Sequence, residues 1–389
     1  MKKTVPFTKA KIETIIKEHP TPFHIYDEKA IRKNAKKLLK TFSWNKGFKE
    51  YFAVKALPNP HILQIMKSED FGADCSSLAE LIMAEKVGLR GEEIMFTSNA
   101  TAAKEYKKAK ELGAIINLDD ISHIDFLEQH AGMPELLCFR YNPGKRRKGG
   151  FFIGKPEEAK FGLTREQIFK AYALAKEKGV KRFGLHTMIA SNELDEKYFI
   201  ETAEMLFTLV KELQKKLNIT FEFINIGGGI GIPYRPEDNI FDLAKLSKGI
   251  EKLYKKLEMK PLKIFMENGR MISGPYGYLV TRVIHTKDIY KNYLCVDSCM
   301  ANLIDLACMV LIIMLRFWGK KKIIKHILMI LPVHFAKITT VLQWIGNCQK
   351  PMLATLLLFT ILVHMVIRWD LIITVNCVLL NYCCKKAEK

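Results

Sequence analysis

"FKEYFAVKA", Phe48–Ala56, is a short run of aromatic and aliphatic residues that closes on a lysine. A run this short and this apolar reads as a strand buried on both faces. Working outward, the same signature returns in "DFGADCSS", "EIMFTSN", "AIINLDD", "LLCFRYNP", "RFGLHTMIAS", "FEFINIGGG" and "LKIFMENGR". Between these runs lie segments such as "LAELIMAEKVGL", "TAAKEYKKAKELG" and "YFIETAEMLFTLVKELQKKL", whose apolar residues fall at helical spacing. Strands alternating with helices imply a parallel sheet covered on both sides. Eight such units over about 225 residues fit an α/β fold of the (β/α)8 barrel type, with an open doubly wound sheet as the alternative.

Each run ends in polar residues or glycine: Lys55, Asp74, Ser98 and Asn99, Asp119, Arg140 and Asn142, His186 and Ser191, Gly227 to Gly229, Glu267 and Arg270. In a barrel these ends share one rim, the face where active sites of this fold lie. Lys55 sits among apolar residues, and burial disfavours its charged form, so its pKa is expected to fall. A neutral amine there could condense with an aldehyde. The alternative is a lysine that snorkels to the surface. The loop "NIGGGIG" lets backbone amides approach a phosphate, or is simply a tight strand-to-helix turn. "MENGR" sets Glu267 and Arg270 on one short turn. The arginine could grip phosphate or carboxylate and the glutamate could hold a ring-nitrogen proton, or the two could form a surface ion pair. An amine for an aldehyde, a phosphate loop and a carboxylate for a pyridinium nitrogen together describe a pyridoxal 5'-phosphate site.

With those residues in view, the chain resembles the barrel-type pyridoxal-phosphate amino-acid decarboxylases of the alanine-racemase-like fold, and most closely diaminopimelate decarboxylase. The matching stretches are "TPFHIYDEKAI", "YFAVKALPNP", "DFGADCSSLAEL", "KFGL", "NIGGGIGIPY", "ENGR" and "GPYGYLV", spanning about residues 20 to 303. The resemblance implies that Lys55 bonds the cofactor aldehyde. It implies that Ser191, Gly227, Gly228 and Gly229 hold the phosphate, that His186 and Gly269 line the cofactor site, and that Glu267 pairs with the pyridine nitrogen. Arg270 would bind phosphate or the substrate's distal carboxylate. The implied reaction is decarboxylation of meso-diaminopimelate to L-lysine. Ornithine, arginine and carboxynorspermidine decarboxylases are rivals of the same fold, and a degenerate barrel without turnover is a non-enzymatic alternative. Two positions depart from the commonest pattern. Met188 stands where the family often stacks a histidine on the cofactor ring, and Asn268 replaces the proline of the usual EPGR. A methionine can still pack on an aromatic face.

Composition narrows the partners. The net charge is +20, yet basic and acidic residues are well mixed through the body, which reads as a solvated surface and not as a nucleic-acid face. Cys75, Cys138, Cys295 and Cys299 are sparse, and five more crowd the chain from Cys308 on. Neither set has zinc-like spacing or the pattern of a secreted disulfide framework, so no metal and a reducing cytoplasm are expected. The start, "MKKTVPFTKAKIETIIKEHP", has a basic stretch but no apolar core of a signal peptide. The expected organisation is an N-terminal segment (1–24), the barrel (25–280), the start of a β-domain (281–303) and a tail (304–389).

The tail breaks the pattern. "MLATLLLFTILVHMVIRWDLIITVNCVLLNYCC" (Met352–Cys384) looks like a membrane segment. However, Met352–Ile367 gives sixteen residues before Arg368, short of the ~20 that span a bilayer. The genetic code offers another reading, two bases on. "HMVIRWD" (His364–Asp370) can become His-Gly-His-Ser-Met-Gly, with both glycines forced. "IDLACMV" (Ile304–Val310) can become Arg-Pro-Gly-Met-Tyr-Gly, and "PVHFAK" (Pro332–Lys337) can become Gly-Ser-Leu-Cys-Glu. "LQWIGNCQ" (Leu342–Gln349) can become Ala-Val-Asp-Arg-x-Leu-Pro. All four resemble β-domain segments of the family, in order and in one frame. The tail is therefore expected to be an out-of-frame β-domain and not a membrane anchor. The lost residues would include the Cys-Glu pair that the family contributes to a partner's site, and the in-frame protein would be a homodimer.

Overall fold

The computed structural model describes residues 5–147, 155–234, 237–290 and 292–299, residue 302, and four short strands beyond it. Two compact units emerge, one of residues 32–233 and 239–272 and one of 1–31, 234–238 and 273–389.

The first unit is the expected barrel. Strands β2 (Lys49–Ala53), β3 (Gly72–Cys75), β4 (Ile94–Ser98), β5 (Ile115–Leu118), β6 (Leu136–Arg140), β7 (Arg182–His186), β8 (Phe221–Asn225) and β9 (Lys263–Met266) close in chain order into a parallel ring. Each lies within one of the eight apolar runs. The ring closes through Lys49 and Glu50 of β2, in register with Phe265 and Met266 of β9. The connecting helices are α3 (Pro60–Ser68), α4 (Leu78–Lys86), α5 (Ala103–Glu111), α6 (His123–Ala131), α7 (Arg165–Glu177), α8 (Glu196–Leu217) and α9 (Leu243–Lys256). Their starts follow local chemistry. Asn59 caps α3 ahead of Pro60, Ser77 caps α4, Thr164 caps α7 in a box with Gln167, and Asp195 and Asp242 cap α8 and α9.

A barrel interior must be filled by side chains. Here Tyr51, Met95, Ile115, Leu136, Cys138, Phe223 and Phe265 form one buried cluster that serves as its floor. Phe223 and Phe265 stack with ring centroids 4.3 Å apart. Gly184 on β7 makes room for them, since a Cβ there would lie 2.0 Å from the Phe223 ring.

In the second unit, β1 (Phe23–Tyr26) pairs antiparallel with β10 (Gly277–Asp288), which pairs with β11 (Asn292–Cys299). The segments Met314–Trp318, Thr339–Trp344, Leu356–Thr360 and Tyr382–Cys383 complete this sheet. Phe7, Ile12, Ile15, Phe23, Ile25, Tyr278 and Val280 pack its core. The carboxylate of Asp297 ties the sheet together, accepting from the Thr21 and Thr281 hydroxyls and from the Arg282 amide. Phe23 and Ile25 of β1 and Tyr278 and Val280 of β10 alternate to fill this second core. The compact barrel unit, residues 32–233 and 239–272, is narrower than the span of 25–280 set by the sequence pattern. The rest of the 304–389 tail lies outside the described residues. Among those described, no helix is long and apolar enough to cross a membrane.

Candidate active site

Side chains alternate along a strand, so the residue two places beyond each floor residue points into the same barrel. On that next level the chemistry changes. Met95 gives way to Thr97, Ile115 to Asn117, Cys138 to Arg140, Phe223 to Asn225 and Phe265 to Glu267, while His186 follows Gly184. Lys55 stands just past β2, and Asp74 lies near the end of β3. The strand-end residues expected to share a rim do so.

Their hydrogen bonds form one buried chain. The Asn117 amide donates to Thr97 Oγ1 at 3.1 Å and lies 2.9 Å from His186 Nδ1. An amide NH2 can only donate, so Nδ1 accepts and the ring proton sits on Nε2. Nε2 in turn lies 3.1 Å from Glu267 Oε2, and Asn225 Nδ2 donates to Glu267 Oε1 at 2.6 Å. Burial alone would raise the Glu267 pKa. The His186 ring, Lys55 and the Asn225 amide outweigh it and hold the carboxyl below its ordinary value. The result is a carboxylate kept ionised in a dry place.

Lys55 Nζ lies 3.4 Å from Asp74 Oδ2 and 3.5 Å from Ser76 Oγ. The expected fall in its pKa does not occur. Burial does push toward the neutral amine, but Asp74, Glu80 and Glu267 together hold the ammonium above the usual lysine value. Desolvation is legible in the sequence, whereas three carboxylates gathered around one amine are not. Asp74 carries the complementary distortion. Burial first, and then Glu267, push its carboxyl up to about 8 in spite of Lys55. A carboxyl that holds its proton more tightly than an ordinary aspartate therefore stands beside the amine.

The glycine loop after β8 is dictated by close packing. A Cβ on Gly227 would lie 2.4 Å from Thr187 O, one on Gly228 would lie 1.9 Å from Glu267 O, and one on Gly229 would lie 2.2 Å from Ala190 O. Gly227 and Gly229 also have φ of +72° and +92°, which favours glycine. The loop is thus wedged between the ends of β7 and β9. Its amides are not equivalent. Gly227 N–H donates to Asn225 Oδ1 at 2.9 Å, and Gly228 N–H points at Met188 Sδ at 3.2 Å. Met188, expected as a ring-packing residue, thus reaches the phosphate-type loop with its thioether. Ser191 lies half-buried on the neighbouring bend. Gly269 is hemmed in by Ala53 and Ala56, and Arg270 is buried at the start of the short helix α10 (Arg270–Ser273). On the opposite side, Arg140 pairs with Asp119 at 3.1 Å and donates to Met188 O at 3.0 Å.

Sequence reading missed Thr97, Asn117 and Asn225 as site residues. Their signal was available: each is an uncharged polar residue two places after a floor residue in an otherwise apolar run. It was passed over because attention went to charged strand ends.

An amine with a carboxyl group beside it, an ionised buried carboxylate and a glycine-walled loop suit pyridoxal phosphate, which when bound supplies an electron sink. Comparisons with known proteins agree. Residues 28–274 match the model of the pyridoxal-dependent decarboxylase family, pyridoxal binding domain. The chain is similar to Protein TabA of Pseudomonas amygdali pv. tabaci, 37% identical over 293 residues that cover 75% of this chain and 69% of TabA. It is also similar to diaminopimelate decarboxylase of Methanothermobacter thermautotrophicus, 32% identical over 72% of this chain and 67% of the relative. Among solved structures, diaminopimelate decarboxylase of Helicobacter pylori complexed with L-lysine shares the fold, with a TM-score of 0.75 at 22% identity, covering 91% of this chain and 88% of that one. Lysine decarboxylase of Selenomonas ruminantium does so with a TM-score of 0.77 at 19% identity, over 93% and 92%. Matched over more than half its length and closed into the same barrel, the chain belongs to the pyridoxal-dependent decarboxylases, carboxy-lyases that work with pyridoxal phosphate.

Proposed function

We propose that the chain decarboxylates meso-diaminopimelate to L-lysine. The observation that carries this reading is the rim itself: Lys55 beside Asp74 and Glu267 held ionised by His186 and Asn225, in a chain whose relatives include several proteins named diaminopimelate decarboxylase. In this reading Lys55 joins the cofactor and later moves a proton at the substrate's α-carbon. Asp74 stays within reach of the Lys55 nitrogen and orients it. Glu267 holds the proton of the ring nitrogen, with His186 and Asn225 fixing its two oxygens. The glycine loop and Ser191 seat the phosphate, and Arg270 meets phosphate or a distal carboxylate. A pocket drier than water strengthens each of these contacts.

The test is to supply purified protein with pyridoxal phosphate and to measure carbon dioxide release from meso-diaminopimelate, lysine, ornithine and arginine. Release from diaminopimelate above the others supports the reading, and preference for another substrate moves the assignment within the family.

The same reading covers residues 304–389 as a β-domain translated out of frame, with a homodimer as the in-frame state. Four family-like segments from one alternative frame support it. Resequencing the gene around codon 303 tests it. A single-base restoration that leaves expression and activity unchanged would count against it.

A further inference from the structure

Glu50 is a buried acid with no evident reason to be charged. It precedes Tyr51 on β2, on the strand face opposite the barrel interior, and is fully buried. Among the described residues no lysine or arginine pairs with it. The charges that act on it include two more carboxylates, Glu267 and Asp74. What it does hold is Asn268. The Asn268 N–H donates to Glu50 Oε1 at 2.5 Å, and Asn268 Nδ2 donates to Oε2 at 3.2 Å. The Asn268 carbonyl accepts from Ala53 N–H at 3.4 Å, so β2 grips this peptide from both sides. Asn268 directly follows Glu267, whose own N–H is held by Gly227 O at 3.0 Å. A proline at position 268 would have no N–H to offer, so the asparagine and the buried acid make a matched pair.

We infer that Glu50 is a positioning residue for Glu267: its carboxyl group, clamped on the Asn268 amide and side chain, fixes how the Glu267 carboxylate is presented to the barrel interior. This rests on the reading of Glu267 as the partner of the cofactor's ring nitrogen. Burial drives the Glu50 carboxyl well above its usual range against the Asn268 hydrogen bonds, and Glu267 and Asp74 act in the same direction as burial. Asn268 Oδ1 has no hydrogen-bond partner among the described residues, so the Asn268 amide can turn over and present Oδ1 in place of Nδ2 to a glutamine at position 50, whose own oxygen keeps the Asn268 N–H.

The test compares Glu50→Gln with Glu50→Ala in the full chain by two readouts. One is hydrogen–deuterium exchange of the peptide around residues 264–270. The other is pyridoxal phosphate affinity, with the pH dependence of the bound cofactor's visible absorbance. The expected result is that Glu50→Gln matches the parent in both. Glu50→Ala should exchange faster in that peptide, bind the cofactor about tenfold more weakly, as loss of an orienting outer contact does at metal sites, and shift the absorbance titration. A glutamine variant as impaired as the alanine variant, or an alanine variant like the parent, overturns the inference. If Glu50→Ala does not fold, Glu50→Met, which fills the space without accepting either hydrogen bond, takes its place with the same expected direction, and parent-like behaviour overturns the inference again. If the parent binds no pyridoxal phosphate, the cofactor reading fails and the exchange measurement alone decides the role of Glu50.

Discussion

The floor and the rim of the barrel are two residues apart on the same strands, yet they obey different rules. The floor residues Tyr51, Phe223 and Phe265 are packed by shape, and Gly184 exists there to admit a neighbouring ring. The rim residues Asn117, His186, Asn225 and Glu267 are packed by hydrogen bonds, each fixing the next. Stability should therefore reside below and function above, and substitutions at the two levels should separate the two properties.

The largest expected effect is at the rim. Lys55→Ala should abolish the cofactor-linked absorbance and lower decarboxylation by at least about a thousandfold, while the urea midpoint changes little. Phe223→Ala on the floor should do the opposite, costing about 3–5 kcal/mol of stability by chemical denaturation, with cofactor uptake retained by whatever remains folded. A floor variant that stays stable but loses cofactor would break the division. Asn225→Ala sharpens it, because it removes the donor to Glu267 Oε1 and frees the Gly227 amide together. The expected cost is about 1–3 kcal/mol, read more strongly in pyridoxal phosphate affinity than in melting temperature.

The smallest effect is in pH dependence. Asp74 titrates at about 8 in the folded chain, against roughly 4 when unfolded. Between those values the native state binds more protons than the unfolded one, so this group's contribution to stability falls as pH rises through that window. Glu267 runs the other way: its folded value is depressed, and its contribution is lost only as the solution becomes more acid than the ordinary carboxylate range. Urea midpoints from pH 5 to 9 should therefore decline toward the alkaline end, with a flatter profile in Asp74→Asn.

Much of this was legible before the fold was known. The eight strands were readable because a parallel sheet covered by helices needs near-continuous apolar runs, and Lys55, His186, Glu267 and the glycines stood out at their ends. What the sequence could not disclose was mutual distance. The charge state of Lys55 depends on Asp74, Glu80 and Glu267, which lie on β3, on α4 and just past β9. Asn225 read as one polar residue in an apolar strand until its two contacts, to Glu267 and to Gly227, gave it a role. The sequence does not separate β1 from the barrel strands, because β1 is apolar in the same manner. Its antiparallel pairing with β10 is a contact over some 250 residues that no local pattern records.

The central claim is that the rim is a pyridoxal phosphate site built on Lys55. The most direct test is to incubate the protein with pyridoxal phosphate, trap the lysine adduct by borohydride reduction and map it by peptide mass spectrometry. The account predicts one dominant modified peptide, containing Lys55, and its disappearance in Lys55→Ala. An adduct spread over surface lysines with Lys55 unmodified would contradict it.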